Sequence, residues 1–279
     1  MKIRETHIYK LLSKNFAMKE KIYQICKNVE SEKGITILFA VENGSRAWGF
    51  SSKDSDYDVR FVFVRPLKEY LQIKNPPNVI NFSLDKHGQP CDAKNALIDI
   101  TGFDIFKYVK LLSKSNPTCI EWLISDIVYY GKQNKVFTDF ALKNFSKIAL
   151  YHHYKSMCRN NYEKFILSKK HITYKKYLYA LRGLINAKWV VYNQSIPPFI
   201  FEDVLKEMKE ILPEYITDIV YKIIQKKKKG KEKEHITNIE IVDKFIEHFL
   251  QNDKESPQEK SYPSIDVLNK EIQRIILSQ

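Results

Sequence analysis

The sequence predicts an α+β fold, a small mixed β-sheet backed by helices and followed by an all-helical C-terminal half. Three observations predict it. Residues 35–64, ITILFAVENGSRAWGFSSKDSDYDVRFVFV, place two apolar, strand-like runs around a polar loop. Two more strand-like runs follow at 79–84 and 94–101, either side of a turn. From residue 103 onward the apolar residues recur at three- and four-residue intervals, which is the period of a helix face. A helix, two strands, a helix and two more strands pack as one sheet with helices against it.

Each element has a local reason. Residues 5–33 show apolar residues at helical intervals, with Ile22, Ile25, Cys26 and Val29 the clearest stripe, and Gly34 suits the stop position after a helix. Ile35–Val41 is the first strand and Ser45–Trp48 a short helical turn. Tyr57–Val64 is the second strand, ended by Arg65 and Pro66; a proline at the first turn then starts LKEYLQI. Asn75-Pro76-Pro77-Asn78 breaks that helix. Val79–Leu84 is the third strand, 85–90 a turn, and KNALIDIT (94–101) the fourth strand, with Leu97, Asp99 and Thr101 on one face. Asp104 precedes IFKYVKLL and reads as its N-cap. Helices then span PTCIEWLI, 134–168, 174–193, 202–211, 214–229 and 236–252, with a break at Pro197-Pro198. QKKKKGKEKEH (225–235) reads as a charged, mobile linker or helix end.

Composition narrows the class. With 46 Lys+Arg against 33 Asp+Glu, the 279-residue chain carries a net charge of +13, which favours polyanionic partners. The excess of lysine over arginine, with frequent Asn and Ile, also fits an AT-rich genome and weakens that argument. No apolar run approaches the roughly 18–20 residues of a membrane span, and the N-terminus lacks the pattern of a secretory signal. The expectation is therefore a cytoplasmic protein without a membrane partner. Four scattered cysteines without CxxC spacing argue against zinc and against a disulfide framework.

The chemistry concentrates in the first loop. Strand alternation puts Asp56 and Asp58 on one face, where two carboxylates repel each other unless a cation sits between them. Such oxygen donors suit Mg²⁺ or Mn²⁺, and two ions can clamp the attacking and leaving oxygens of a phosphoryl displacement. Gly44-Ser45 follows a strand and opens a turn whose backbone N–H groups can cradle phosphate. Asp99 is the favoured third carboxylate, ahead of Asp104 and Asp92, and the three are expected to converge at metal-bridging distance. Arg46 has two readings, a γ-phosphate contact or a salt bridge to the dyad or Glu42. Arg60 reads as a structural counter-charge, and Trp48 as packing that fixes the loop. Because the dyad lies at the far end of the loop in sequence, Gly44→Ala is expected to weaken NTP binding and spare weak Mn²⁺ binding.

Strand, Gly44-Ser45, polar spacer, Asp56-Tyr57-Asp58 and second strand together resemble the signature of the DNA polymerase β-like nucleotidyltransferase superfamily. GSRAWGFSSKDSDYDVRFVFVRPLKEYL looks specifically like the YcgL/RlaP-type family of predicted nucleotidyltransferases. The resemblance runs on through SNPTCIEWL, YHHYKSMCRNNY and KKYLYALRGL, over residues 35–195. It implies a polymerase β-like palm within a catalytic unit at 1–130, and a helical domain at 131–279. It also implies transfer of a nucleoside monophosphate from an NTP, with Mg²⁺ or Mn²⁺, to an acceptor hydroxyl. A link with RNA repair makes an RNA end, a tRNA among them, the expected acceptor. Residues 152–182 carry eight Lys/Arg against one acid, Glu163, and Lys176 and Arg182 are the expected nucleotide contacts. His152 and His153 diverge by about 100° on a helix and cannot chelate one ion. Two alternatives stand beside this reading: transfer to a protein or small molecule, and a non-catalytic basic RNA-binding module.

Overall fold

The computed structural model describes residues 2–169, 172–231, 233–251, 257 and 264–278, and side chains from residue 17 onward. Helix α1 (Lys2–Lys33) ends at Gly34, whose φ of +61° is the left-handed stop that a side chain would resist. Ile22, Cys26 and Val29 bury the predicted stripe against the sheet. β1 (Thr36–Asn43) leads into a single turn, α2 (Gly44–Ala47), and a loop returns as β2 (Tyr57–Val64). α3 (Leu67–Tyr70) is shorter than the predicted LKEYLQI, and β3 (Val79–Leu84) has the expected bounds. β4 is Ile98–Asp104, later than predicted, because 93–95 form a turn of 3-10 helix. α4 (Ile105–Leu112) begins at Asp104, which caps it by accepting from the Phe106 N–H at 2.9 Å.

α5 (Pro117–Ile124) matches PTCIEWLI. The next element is a strand that the expectation of an almost all-helical chain after residue 103 did not place. β5 (Val128–Gly131) pairs antiparallel with β1 and completes the sheet order β3-β4-β2-β1-β5. Among the described strands only β2 and β4 pair in parallel. The helical half comprises α6 (Lys135–Lys143), α7 (Lys147–Asn161, continued by a π-helical turn to Leu167), α8 (Tyr174–Asn193) and α9 (Phe201–Glu207). α10 (Glu214–Lys228), α11 (Glu240–Gln251) and the unanticipated α12 (Asp266–Leu277) finish it.

The sheet separates two cores. Tyr57, Val59, Phe61 and Phe63 of β2 and Ile98 and Ile100 of β4 face α1. Val62 and Val64 face the helical half, in a larger core continuous from Phe39 to Ile276. Side chains alternate along a strand, so Asp58, Arg60 and Asp99 necessarily share the face turned toward α8 and α10. Segment 225–235 begins as the helix end that was one of its two readings. Its first residues are the last turn of α10. Beyond, Ile236 donates to Ile172 and His235 bridges Thr173, so the segment returns to the start of α8. Residue 232 lies outside the described residues.

Candidate active site

Because β1 and β2 are antiparallel, the end of β1 meets the start of β2, and Asn43 sits opposite Asp58. Because β2 and β4 are parallel and in step, Asp58 sits opposite Asp99. Gly44 and Asp58, fourteen positions apart in sequence, are therefore neighbours in space. The Gly44 φ is +67°, and a Cβ there would lie 2.0 Å from Asp58 Oδ2. The expectation that the dyad stands clear of Gly44 is corrected by this pairing.

Asp58 and Asp99 are joined rather than left to repel. Arg60 Nη2 donates to Asp58 Oδ1 and to Asp99 Oδ2, each at 2.8 Å, which is the counter-charge role read from alternation. Ser83 Oγ donates to Asp99 Oδ1 at 3.0 Å. Burial pushes the Asp58 carboxyl up to about 6; Arg60 pulls it down, and Asp56 and Asp99 push it further up. The three carboxylates thus act on one another's charge. Among the described residues, however, no three acidic, histidine or cysteine side chains stand as a ready metal-ligand set. The expected pre-formed triad is corrected to an Arg60-bridged pair with Asp56 alongside. As a donor set the hard carboxylate oxygens suit Mg²⁺ or Mn²⁺. Asp104, the N-cap, and Asp92, exposed in a loop, lie outside this cluster.

Several residues position the dyad. Glu42, 1% exposed, accepts from the Asp58 N–H at 2.8 Å and from the Tyr129 hydroxyl. Its carboxyl is pushed up to about 8, chiefly by burial. Of its two readings, the salt bridge is corrected: among the described residues Arg46 pairs with neither the dyad carboxylates nor Glu42. Its Nε donates to the Asp56 carbonyl at 2.9 Å, an Nη donates to the Ser55 carbonyl, and the guanidinium lies 3.8 Å from the Tyr57 ring centroid. It braces the loop backbone that carries Asp56. Ser45 is buried beside Gly44 in α2.

Arg182 requires a correction. It is buried, bound to Glu121 at 2.5 Å and stacked 3.7 Å from the Trp48 ring centroid. Trp48 donates its indole N–H to the other Glu121 oxygen at 3.0 Å. Arg182 therefore acts on the Gly44–Ala47 turn through Trp48, and its charge is taken up by Glu121. Arg182→Ala should cost about 3–5 kcal/mol, because it leaves Glu121 buried and uncompensated. Chemical denaturation measures this, and a variant of unchanged stability would return Arg182 to the list of ligand contacts.

Lys176 lies with its ammonium 4.3 Å from the Phe165 ring centroid. Its neighbour Lys175 is the one whose charge reaches Asp58 and favours its ionised form. Adjacent residues on a helix point about 100° apart, so one position of phase decides which lysine faces the dyad. Tyr179, one turn on, has its hydroxyl pushed up by burial and then by Asp58. Lys227 of α10 is 1% exposed, and its ammonium is pulled down to about 8 by burial and by Lys175, against Asp56 and Asp58. Sequence reasoning missed Glu42, Lys175 and Lys227. Only Lys227 carried a signal: it falls on the apolar stripe Val220, Ile223, Ile224 of α10.

Among the described residues no helix is long and apolar enough to cross a membrane. The described cysteines are free thiols. A model of the RNA repair pathway DNA polymerase beta family, RlaP, matches residues 18–274. The uncharacterized protein YcgL of Bacillus subtilis (strain 168) is 33% identical over 270 residues, covering 94% of this chain and 96% of that one. A crystal structure of a nucleotidyltransferase-like protein from Exiguobacterium sibiricum is similar at 11% identity and a TM-score of 0.31, over 92% of this chain and 80% of that one.

Proposed function

From a chain that belongs to the RNA repair pathway DNA polymerase beta family, we propose a metal-dependent nucleotidyltransferase that moves a nucleoside monophosphate from an NTP to an acceptor hydroxyl at an RNA end. The observation that carries this is the in-step pairing of Asp58 with Asp99, with the Gly44 backbone packed against Asp58. Asp56, Asp58 and Asp99 would hold Mg²⁺ or Mn²⁺. Such ions, when bound, supply Lewis-acid charge at the triphosphate and lower the pKa of the attacking hydroxyl.

The chain's own residues do the rest. Gly44 and Ser45 would present backbone amides to the β- and γ-phosphates, and the missing Cβ at residue 44 leaves room for Asp58 beside them. Lys175 and Lys227, from the helical side, would compensate phosphate charge as pyrophosphate departs. Asp99, once Arg60 lets go of it, would take the acceptor hydroxyl proton as the new P–O bond forms and the α–β bond breaks. Positioning and charge compensation, without a covalent intermediate, supply the acceleration. In this reading residues 1–130 are the catalytic unit and 131–279 the opposite wall of the cleft, in a reducing cytoplasm that suits free thiols.

The test incubates the protein with each labelled NTP, Mg²⁺ and either total RNA or total protein. Label in RNA, lost with Asp58→Asn, is the expected result. Label in protein instead would replace the acceptor, and no Mg²⁺-dependent transfer or NTP binding would leave a non-catalytic RNA-binding module. A second prediction concerns phase. Lys175→Ala should raise the KM for NTP about tenfold, the loss of one charge-assisted contact, and Lys176→Ala should leave it unchanged. Steady-state kinetics with both variants decide it; the reverse order would place Lys176 on the nucleotide.

A further inference from the structure

At the far end of the sheet from the carboxylates lies a groove of about 650 Å³ between α3, the loop that follows it and α4. Lys107 and Lys110 of α4, and Lys114 in the turn just after it, line it. Positions three apart share one helix face, so Lys107 and Lys110 lie on the same side of α4, and all three lysines line the groove. Phe106 is 47% exposed there and meets Tyr70 edge to face at 5.0 Å, a rigid aromatic ledge. Asn75 and Asn78 add amides on the opposite side.

The acids nearby do not neutralise these lysines. Asp104 is 3% exposed and engaged by the Tyr70 hydroxyl at 2.7 Å and the Phe106 N–H. Glu69 is bound to Arg65 at 3.0 Å. Among the described residues none of the three lysines pairs with a carboxylate; Lys107 instead lies 5.1 Å from the Phe103 ring centroid. A row of unneutralised cations beside an exposed aromatic face suits a polyanion that carries stacking rings. β4 joins the two sites, and the five residue steps from Asp99 to Asp104 span about 16 Å.

The geometry points to this groove as a second site on the protein, one that binds single-stranded RNA by its phosphodiester backbone with a base stacked on Phe106. The inference rests on RNA being the partner and adds where the body of that RNA lies, several nucleotides from its reacting end. It is tested by anisotropy of a labelled oligouridylate of about twelve nucleotides, within the usual range of site sizes, on the full chain across a salt series. Lys110→Glu/Lys114→Glu, both at exposed positions, should weaken binding at least tenfold. Its salt slope should shrink by about 1.4, since each single-strand phosphate contact contributes about 0.7. Phe106→Ala should weaken binding about tenfold by loss of stacking. Thermal midpoint and Mg²⁺-ATP binding should stay at wild-type values in both.

Wild-type affinity and slope in the double variant would overturn the site. So would failure of the wild type to bind RNA, or weakened binding to phosphatidylserine vesicles with RNA binding intact. The readout does not involve transfer, so an Asp58→Asn protein that binds the oligomer normally separates this site from the catalytic proposal.

Discussion

Gly44→Ala is expected to abolish nucleotide transfer and to weaken Mn²⁺ binding with it. The methyl group would lie 2.0 Å from Asp58 Oδ2 and 2.8 Å from its Cγ, distances no pair of atoms sustains. Either α2 or the Asp58 side chain must move. The residue must also hold φ at +67°, which costs an L side chain about 1–2 kcal/mol. Displacement of about 1 Å at a reacting centre costs on the order of a hundredfold in rate, and here it falls on phosphate loop and carboxylate together. Mn²⁺ titration followed by electron paramagnetic resonance, alongside the transfer assay, is the measurement. Normal Mn²⁺ binding with lost NTP binding would mean that the loop moves and Asp58 does not.

The second large effect is at Asp58 itself. Asp58→Asn should lower transfer by at least about a thousandfold, the scale of losing a principal electrostatic group at a phosphoryl centre. Stability should stay level or rise. The Asp58 carboxyl goes from 3.8 to about 6 on folding, so the native state holds the proton more tightly than the unfolded chain. Its stabilising contribution is present below pH 3.8 and lost as pH rises through 6, amounting to at most about 3 kcal/mol. Arg60 keeps Asp99 as a partner in the variant. Wild-type stability should therefore fall between about pH 4 and 6, and Asp58→Asn should lose that part of the slope. Glu42, raised from 4.5 to about 8, keeps a fall of the same sense at higher pH in both proteins. Unfolding curves across pH measure this; a variant that unfolds more easily at pH 7 would make Asp58 a structural residue.

The strands nearest the site were legible because their signals are local. β2 is bounded by a polar loop and Arg65-Pro66, and β3 by a double proline and a turn, so composition marks their ends. PTCIEWLI carries its own cap, Asn116, which accepts from the Thr118 N–H at 3.0 Å. β5 has only four residues, VYYG, and becomes a strand by pairing with β1, a contact no local pattern contains. α12 follows a stretch partly outside the described residues and was not anticipated. Within the site, Asp99 was singled out as a carboxylate on a neighbouring strand and by the family resemblance, and its register opposite Asp58 is tertiary. The fate of the basic residues was not legible. Arg182 and Lys175 differ by seven positions, nearly two helical turns, and share a face of α8. One is bound to Glu121 and the charge of the other acts on Asp58, and that difference is tertiary.

The place of β5 in the sheet bears on how the chain is made. Val41 pairs with Val128, 87 residues later. At about 5–20 residues per second, a ribosome takes roughly 4–17 s to supply the strand that covers the outer edge of β1. For that interval Thr36–Asn43, an apolar run, offers open backbone donors and acceptors to any passing strand. Synthesis rate and chaperone supply should therefore govern how much of this protein reaches the native state.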